Sequence, residues 1–453
     1  MKRGISVYWL IPALCLLNDP ALAAAFTLKE ALGTAYETNA KLAAEQANLR
    51  ATDEGLARAD AGWRPNLSGN GYYGTADTDK ASGAVSSHPT DGQITLSQPI
   101  FRGGKTYAEF QRAKSLDLAE QAQLTQTEQS VLLAAVTAYM DVVRDTGRLN
   151  SARDNVATLQ TLRDSVNQQL AAGEVTRTDL QQAEARLAQG RSGIYAAEAQ
   201  LAASRANFEH VIGRPVETLE DSPPLPSLPP SLESLISVAQ ARHPTILVAR
   251  QQERAAGYNV DDAVGDLLPQ VSVVGQYQYT HNYQTPNTFQ LQAPQNQLSV
   301  LAEVTVPIYQ GGGEYALVRQ AKQLRAKAQL NTTDIGQQVV EDARSAWAAH
   351  QAAGQTVISA SAVMQSDQLA VAGETREQQA GERSVIDVLN AQQEYQAAQI
   401  NYLNAVHDSV VTAYRVLAAQ GGLTAKEMGL DVKTYDPAAY YNANAGRWIG
   451  LGD

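Results

Sequence analysis

Cysteine is nearly missing: the 453 residues hold one, Cys15. It lies in an apolar N-terminal stretch and follows Leu14 rather than a small residue, so neither a disulfide nor a lipid anchor is expected. Beyond that stretch nothing approaches the roughly 18 consecutive apolar residues that a membrane helix needs. This excludes an inner-membrane transporter but not a β-barrel, whose strands are only half apolar. Basic clusters are lacking too. The 35 Lys and Arg against 47 Asp and Glu give a formal charge of −12, the wrong sign for neutralising phosphates, so no nucleic-acid partner is expected. The six histidines (His88, His210, His243, His281, His350 and His407) show no metal-binding spacing. There is no nucleophile elbow and no phosphate loop. Gly311-Gly312-Gly313 opens a helix after a strand-like run but lacks the Lys-Ser/Thr of a P-loop, and reads as a sharp turn. No catalytic residue, metal or cofactor is expected, nor is an enzyme.

What is present begins with a secretory signal. Lys2 and Arg3 precede the apolar run Gly4 to Leu17, and Ala21-Leu22-Ala23 fits a small-x-small cleavage site, with Phe26 early in the mature chain. The competing reading is an uncleaved anchor. Losing Lys2, Arg3 and Asp19 leaves the remainder near −13.

The rest is a duplication. Ser97-Gln98-Pro99-Ile100-Phe101-Arg102-Gly103-Gly104 recurs 208 residues later as Thr305-Val306-Pro307-Ile308-Tyr309-Gln310-Gly311-Gly312. Gly173-Glu174 and Asp179 recur as Gly381-Glu382 and Asp387 at the same offset, while Pro65 pairs with Pro269 at an offset of 204. The mismatch falls between Pro65 and Pro99 and between Pro269 and Pro307, where a hairpin loop is expected in each half. The expected layout is a signal over 1–24, a first repeat over 25–213, a Pro-rich linker over 214–231, a second repeat over 232–421 and a tail over 422–453. The linker Pro residues lack amide donors and fix φ, so it should be extended.

Each half reads as helix, two strands, long helix, helix. A first helix is expected from Phe26 to about Gly62. From Lys105 to Leu170 there is no Pro and one Gly, Gly147; a helix that long spans roughly 100 Å and must belong to a coiled coil or helical barrel. Leu180, Ala183, Leu187, Gly190, Ile194, Ala197, Leu201, Ser204, Phe208 and Val211 step by three and four. Val388, Ala391, Tyr395, Ala398, Tyr402, Ala405, Ser409, Thr412, Val416 and Ala419 keep the same register. Such alternation of large and small residues gives knobs-into-holes packing. In the preceding helix Leu149, Ala152, Val156, Leu159, Val166 and Leu170 continue the pattern; Arg163 breaks it and Leu162 stands in. A simple antiparallel hairpin with no tunnel is the plainer alternative.

Between the helices, residues alternate with period two. Val271, Val273, Gly275, Tyr277 and Tyr279 oppose Gln270, Ser272, Gln276 and Gln278. Leu298, Val300, Ala302, Val304, Val306 and Ile308 oppose Ser299, Glu303 and Thr305. Ile94, Leu96 and Ile100 oppose Gln93, Thr95 and Ser97; a Gly-rich run, Asn66 to Thr75, precedes them. Tyr72, Tyr73, Phe101, Tyr277, Tyr279, Tyr283 and Tyr309 lie near strand ends, as interfacial aromatics do. A soluble sheet with one buried face would alternate likewise. If these strands do enter a bilayer, four cannot close a barrel, and open edges cannot face lipid. Several chains must then pool them, and three would supply twelve.

Together the strand-to-helix motifs around Pro99, Gly103, Gly104 and Pro307, Gly311, Gly312, and the turns from Ala172 to Asp179 and from Ala380 to Ala391, resemble the TolC family of outer-membrane efflux and secretion ducts. The resemblance spans about Phe26 to Gly421. It implies an α+β membrane protein built as a homotrimer, with a twelve-stranded barrel in outer-membrane lipid and a helical tunnel through the periplasm. The linker and tail would form an equatorial collar. A periplasmic adaptor would dock at the tip turns, at Gly173, Glu174, Gly381 and Glu382, and an inner-membrane RND or ABC transporter would drive transport. The resemblance further implies a periplasmic constriction. Asp387 matches its first aspartate ring, Arg383 its basic linking residue and Asp179 the partner on the first-repeat hairpin. Two positions depart from the pattern: the second ring position is Asn390, and a linking tyrosine is replaced by Gln378. The rival functions are a periplasmic coiled-coil adaptor and a structural scaffold; neither needs two copies of a strand pair flanked by rods.

Overall fold

The computed structural model describes residues 25–80, 83–221, 223–285 and 293–450. The signal and Ser222 of the linker fall outside these residues, and so does the side chain of Tyr283.

The chain runs through α1 (Leu28–Thr38), α2 (Ala40–Asp60), β1 (Asn66–Tyr73), β2 (Ala76–Lys80), β3 (Gly83–Arg102), α3 (Lys105–Ala172) and α4 (Arg177–Ile212). The second copy repeats the plan with α5 (Leu232–Arg242), α6 (Pro244–Gly265), β4 (Gln270–Thr285), β5 (Gln295–Thr305), α7 (Gly313–Gln379) and α8 (Val385–Gln420), and α9 (Ala439–Asn444) lies in the tail. The single helix expected from Phe26 to Gly62 is two. Asn39 takes an extended conformation, its side chain caps Lys41 N at 3.0 Å, and its amide donates to Val211 O at 2.9 Å. The second half breaks at the matching place for a different reason: Pro244 is pre-set for a first helical turn and starts α6.

The long helices α3 and α7 have 68 and 67 residues, so each is a rod of roughly 100 Å. They pass through two tiers. In the tier next to the sheet the packing order is α2, α3, α6, α7; in the other it is α4, α3, α8, α7. Each tier is thus four helices abreast, open at both flanks. The heptad positions behave as expected: Ala183, Leu187, Leu201, Phe208, Val388, Ala398 and Val416 are buried, and Val166 and Leu162 pack together where Arg163 turns aside to Asp164. Between the tiers lies a waist, the largest core, where Leu32, Leu132, Val136, Tyr139, Phe208, Leu417 and Leu423 pack. There the Tyr139 hydroxyl donates toward Phe26 O at 2.8 Å and Glu220 O at 3.1 Å, sewing the linker to the start of the described chain.

The sheet is antiparallel, in the order β1-β3-β4-β5, with β2 pairing the far end of β3. β2 was not foreseen; it continues β1 after a break at Gly74 and Thr75. β3 and β4 have 20 and 16 residues, longer than the alternating stretches that point to them. β5 stops at Thr305, so Val306, Pro307 and Ile308 lie beyond it. Pro307 has no amide to continue the ladder. Pro99 sits inside β3, where the register with β4 slips between Pro99 and Phe101, the bulge that lets a proline stay in a strand. The registers place Leu67, Leu96, Ile94, Tyr277, Leu298, Val300 and Val304 on one face. Ser68, Thr95, Gln93, Asp91, Gln278, Ser299 and Glu303 lie on the other. Almost all the large apolar side chains of that first face are exposed. Asp91 on the polar face accepts from Gln278 at 2.7 Å and from Thr280 at 3.1 Å. Among the described residues, no helix is long and apolar enough to cross a membrane.

Candidate functional site

The strand-to-helix turns set the rods on the sheet. Gly103 and Gly104 have φ of 62° and 84°, and Gly311 and Gly312 have 77° and 84°, a region L side chains rarely adopt. Gly103 has a second reason: a Cβ there would stand 2.3 Å from Gly265 O, at the end of α6. Gly311 and Gly312 meet nothing within 4 Å. Conformation alone demands glycine in the second copy; contact adds to it in the first.

The far ends of the rods carry the two turns that the sequence singled out, and they are the same structure twice. α3 ends at Gly173, φ 81°, with Gly173 N to Leu170 O at 3.0 Å and Glu174 N to Gln169 O at 2.9 Å. α7 ends at Gly381, φ 79°, with Gly381 N to Gln378 O at 3.0 Å and Glu382 N to Glu377 O at 2.8 Å. These paired bonds satisfy carbonyls that the helix end would otherwise leave orphaned. Glu174 and Glu382 are exposed at the turns.

Each turn then starts the next helix with a capping box. Thr176 caps α4: its hydroxyl accepts from Asp179 N at 3.3 Å, and Asp179 Oδ2 accepts from Thr176 N at 2.9 Å and Oγ1 at 2.8 Å. Ser384 caps α8 likewise: Asp387 Oδ2 accepts from Ser384 N at 3.1 Å and Oγ at 2.7 Å. Asp179 and Asp387 therefore share one local job, stabilising the first turn of a helix. Hydrogen bonds from the Ser384 hydroxyl and amide hold the Asp387 carboxyl below the ordinary aspartate range, and the charge of Arg383 adds to them.

The chain does not join Arg383 to Asp179. Arg383 Nε donates to Glu377 Oε2 at 3.0 Å on its own hairpin, and Asp179 Oδ2 is engaged by Thr176. The two hairpins meet through other residues. Gln378, at the departed tyrosine position, is buried and donates to Gln169 Oε1 at 3.0 Å. Asn390, at the departed ring position, accepts from Arg186 Nη2 at 3.3 Å; Arg186 Nη1 reaches Gln393 Oε1. Farther along, Gln392 Nε2 donates to Asn155 Oδ1 at 3.0 Å, Asn155 Nδ2 reaches Gln396, Ser151 donates to Gln399 at 2.7 Å, and Arg148 reaches Asn404. This amide row between α3 and α8 escaped the reading of the sequence. Its signal was there, as amides at 392, 396 and 399 on three- and four-residue spacing.

In the seam between α3 and α4, Asp145, 1% exposed, accepts from Arg144 Nε at 2.8 Å, Arg148 Nη1 at 3.3 Å and Ser204 Oγ at 2.5 Å. Burial alone would raise its carboxyl; the Arg144 and Ser204 hydrogen bonds outweigh burial and lower it. His407 lies nearby, 3.1 Å from Asp141 and 2.8 Å from Asp408. Burial disfavours its cation, yet the two carboxylates win and its pKa is raised. The histidine sits between two carboxylates in a helix seam.

A family model described as outer membrane efflux protein matches residues 31–214 and 235–422. The outer membrane efflux protein BepC of Brucella suis biovar 1 is 32% identical over 448 residues, covering 98% of this chain and 96% of that protein. The outer membrane protein TolC of Vibrio cholerae serotype O1 is 25% identical over 338 residues, covering 70% of this chain and 76% of that one. Among solved structures, the CmeC outer membrane channel of Campylobacter jejuni superposes with a TM-score of 0.78 at 18% identity, covering 92% of this chain and 89% of that one. That likeness is one of fold.

Proposed function

This chain belongs to the outer membrane efflux protein family, and from that membership we propose that three copies assemble into one duct, with a twelve-stranded barrel above a tunnel of twelve helices per tier. The chain is an outer-membrane channel for efflux or secretion; the adaptor alternative is set aside. Support for the trimer is a coincidence of open flanks. The sheet ends in two unpaired edges, β1 and β5. The helix rows end in α7 on one side, whose Leu317, Leu324, Leu330, Ile358 and Leu369 are all exposed, and in α2 and α4 on the other. Sheet and rods are thus unfinished on the same two sides, and a rotated copy closes both at once.

In this reading the apolar face of the sheet meets lipid and the face bearing Asp91 and Glu303 lines the lumen. The linker and the tail after Gly421 form a collar at the waist. The turns at Gly173, Glu174, Gly381 and Glu382 receive a periplasmic adaptor, through which an inner-membrane pump of RND or ABC type acts. The duct supplies no energy. Its entrance is narrowed by a ring of three Asp387 carboxylates, enough to attract multivalent cations. Arg383 and Asp179 link neighbouring hairpins only across protomers, since one chain does not bring them together. The test is Asp387→Ala in planar bilayers: block by a divalent or trivalent cation should weaken at least tenfold. Block unchanged in the variant removes the ring.

A further inference from the structure

The tail does not stop at the waist. Leu423, Ala425 and Leu430 pack into the core there, and Tyr435 N donates to the Tyr36 hydroxyl at 3.0 Å. The chain then climbs α2. On α9, the Tyr440 hydroxyl donates to Glu54 Oε1 at 2.9 Å. Farther on, Arg64 Nη1 donates to Arg447 O at 3.4 Å, and its guanidinium stands 5.0 Å from the centroid of the Trp448 ring. Asp60 holds that guanidinium in place at 2.7 Å. The fastening points Tyr36, Glu54 and Arg64 advance steadily toward the sheet, over a path of roughly 40 Å. The tail is a strap, and it ends where the rods meet β1.

What the strap delivers there is apolar. Trp448 is 67% exposed and Ile449 95%. Trp63, next in sequence to Arg64, is 50% exposed, and its carbonyl accepts from Gln98 Nε2 of β3 at 3.0 Å. Of the three tryptophans among the described residues, Trp347 packs against Leu235 and Val416; the other two stand at this junction. Arg447 beside them is exposed and has no ion-pair partner among the described residues. An apolar patch of this kind marks a binding surface. Its composition fits a lipid headgroup layer, where indole rings settle and arginines reach for phosphate. The patch is also continuous with the apolar face of the sheet, since Leu67, exposed on that face, follows Arg64 by three residues.

We propose that the end of the strap is a membrane anchor: Trp448 and Ile449 sink into the periplasmic leaflet at headgroup level, with Arg447 at the lipid phosphates. This rests on the reading of the sheet as a barrel wall in the outer membrane. The anchor ties the far end of α2 to the bilayer.

The test is tryptophan fluorescence of the exported full chain in vesicles of phosphatidylcholine brominated near the headgroup, compared with unbrominated vesicles. Trp63→Phe with Trp347→Phe leaves Trp448 as reporter. Trp63→Phe with Trp448→Phe leaves Trp347, an unquenched reference. Replacing all three by Phe and adding Val304→Trp reports on the apolar face of the sheet. Bromine should cut Trp448 emission to about half, as for a ring in the interface, and Val304→Trp emission likewise. Arg447→Glu should weaken the quenching of Trp448, because phosphates repel the new carboxylate; unchanged quenching would remove Arg447 from the anchor. Val304→Trp quenched while Trp448 stays as bright as Trp347 overturns the anchor and leaves the barrel standing. Quenching of neither sinks the barrel reading, and the anchor with it. The rival occupant is the next copy. With Cys15 in the signal, Trp448→Cys and Tyr309→Cys supply the only thiols of the exported chain. A disulfide between them that joins copies on non-reducing gels, with Trp448 unquenched in vesicles, would give the end of the strap to that copy and overturn the anchor.

Discussion

Asp387 caps α8, and the ring proposed for it would draw on the same bonds. The Ser384 hydroxyl and amide that it caps also hold its carboxyl below the ordinary value for aspartate. A depressed carboxyl keeps its charge as pH falls, until the pH drops through the depressed value itself. Cation block should therefore persist through the ordinary aspartate range and vanish only under it. Block that titrates at or above that range would mean that the capping bond is absent in the channel. Ser384→Ala should shift the titration upward, because the larger of the two causes is removed. At the two turns, Gly173→Ala and Gly381→Ala should each cost about 1 kcal/mol in thermal unfolding, since both need a positive φ that a Cβ disfavours. Asp387, Asp179 and the glycines were legible in the sequence because the duplication aligns them. Arg186, Glu377 and Gln169 were not: what each does depends on a side chain from another turn or another helix, and a single sequence holds no sign of that pairing.

The helices were legible by their spacing, and the seams they make largely follow it. What spacing misses is polar content. Asp145 and Ser204 sit in positions where the pattern admits a small or apolar residue, and only the fold reveals a buried carboxylate satisfied by two arginines and a hydroxyl. Its removal is the severe substitution of the seam. Asp145→Ala leaves Arg144 and Arg148 facing an empty site and should cost about 3 kcal/mol or more, seen as a lower unfolding temperature of the protein in detergent. A variant as stable as wild type would mean that water takes over the carboxylate's part. His407 adds a pH trend of opposite sign. Its raised pKa gives stability that is complete below the free-histidine value and fades as pH rises through the raised one. The misjudged boundaries have local causes: Asn39 capping in both directions, and Pro307 ending β5 three residues before the alternation does.

At the scale of the whole molecule, the sheet makes the sharpest claim, because in the proposed barrel adjacent residues on β5 face opposite solvents. Val300→Arg puts a cation on the lipid face and should cost roughly 2–4 kcal/mol near the bilayer midplane, reducing assembled trimer in outer-membrane fractions. Ser299→Arg, one residue away, should assemble and shift ion selectivity toward anions. Equal effects would contradict the register of β4 with β5. The same sheet also dictates an order of events. Its central ladder, β3 with β4, joins the two copies, with a hydrogen bond between residues 189 apart in sequence. The helical hairpins close over turns of a few residues and can form as soon as each is made; the ladder must wait until synthesis is well into the second copy. Such distant pairing is slow and leaves strand edges bare while it is pending. Newly exported chains should pass through a stage with finished rods and unzipped strands, when bare strand edges are most open to mispairing.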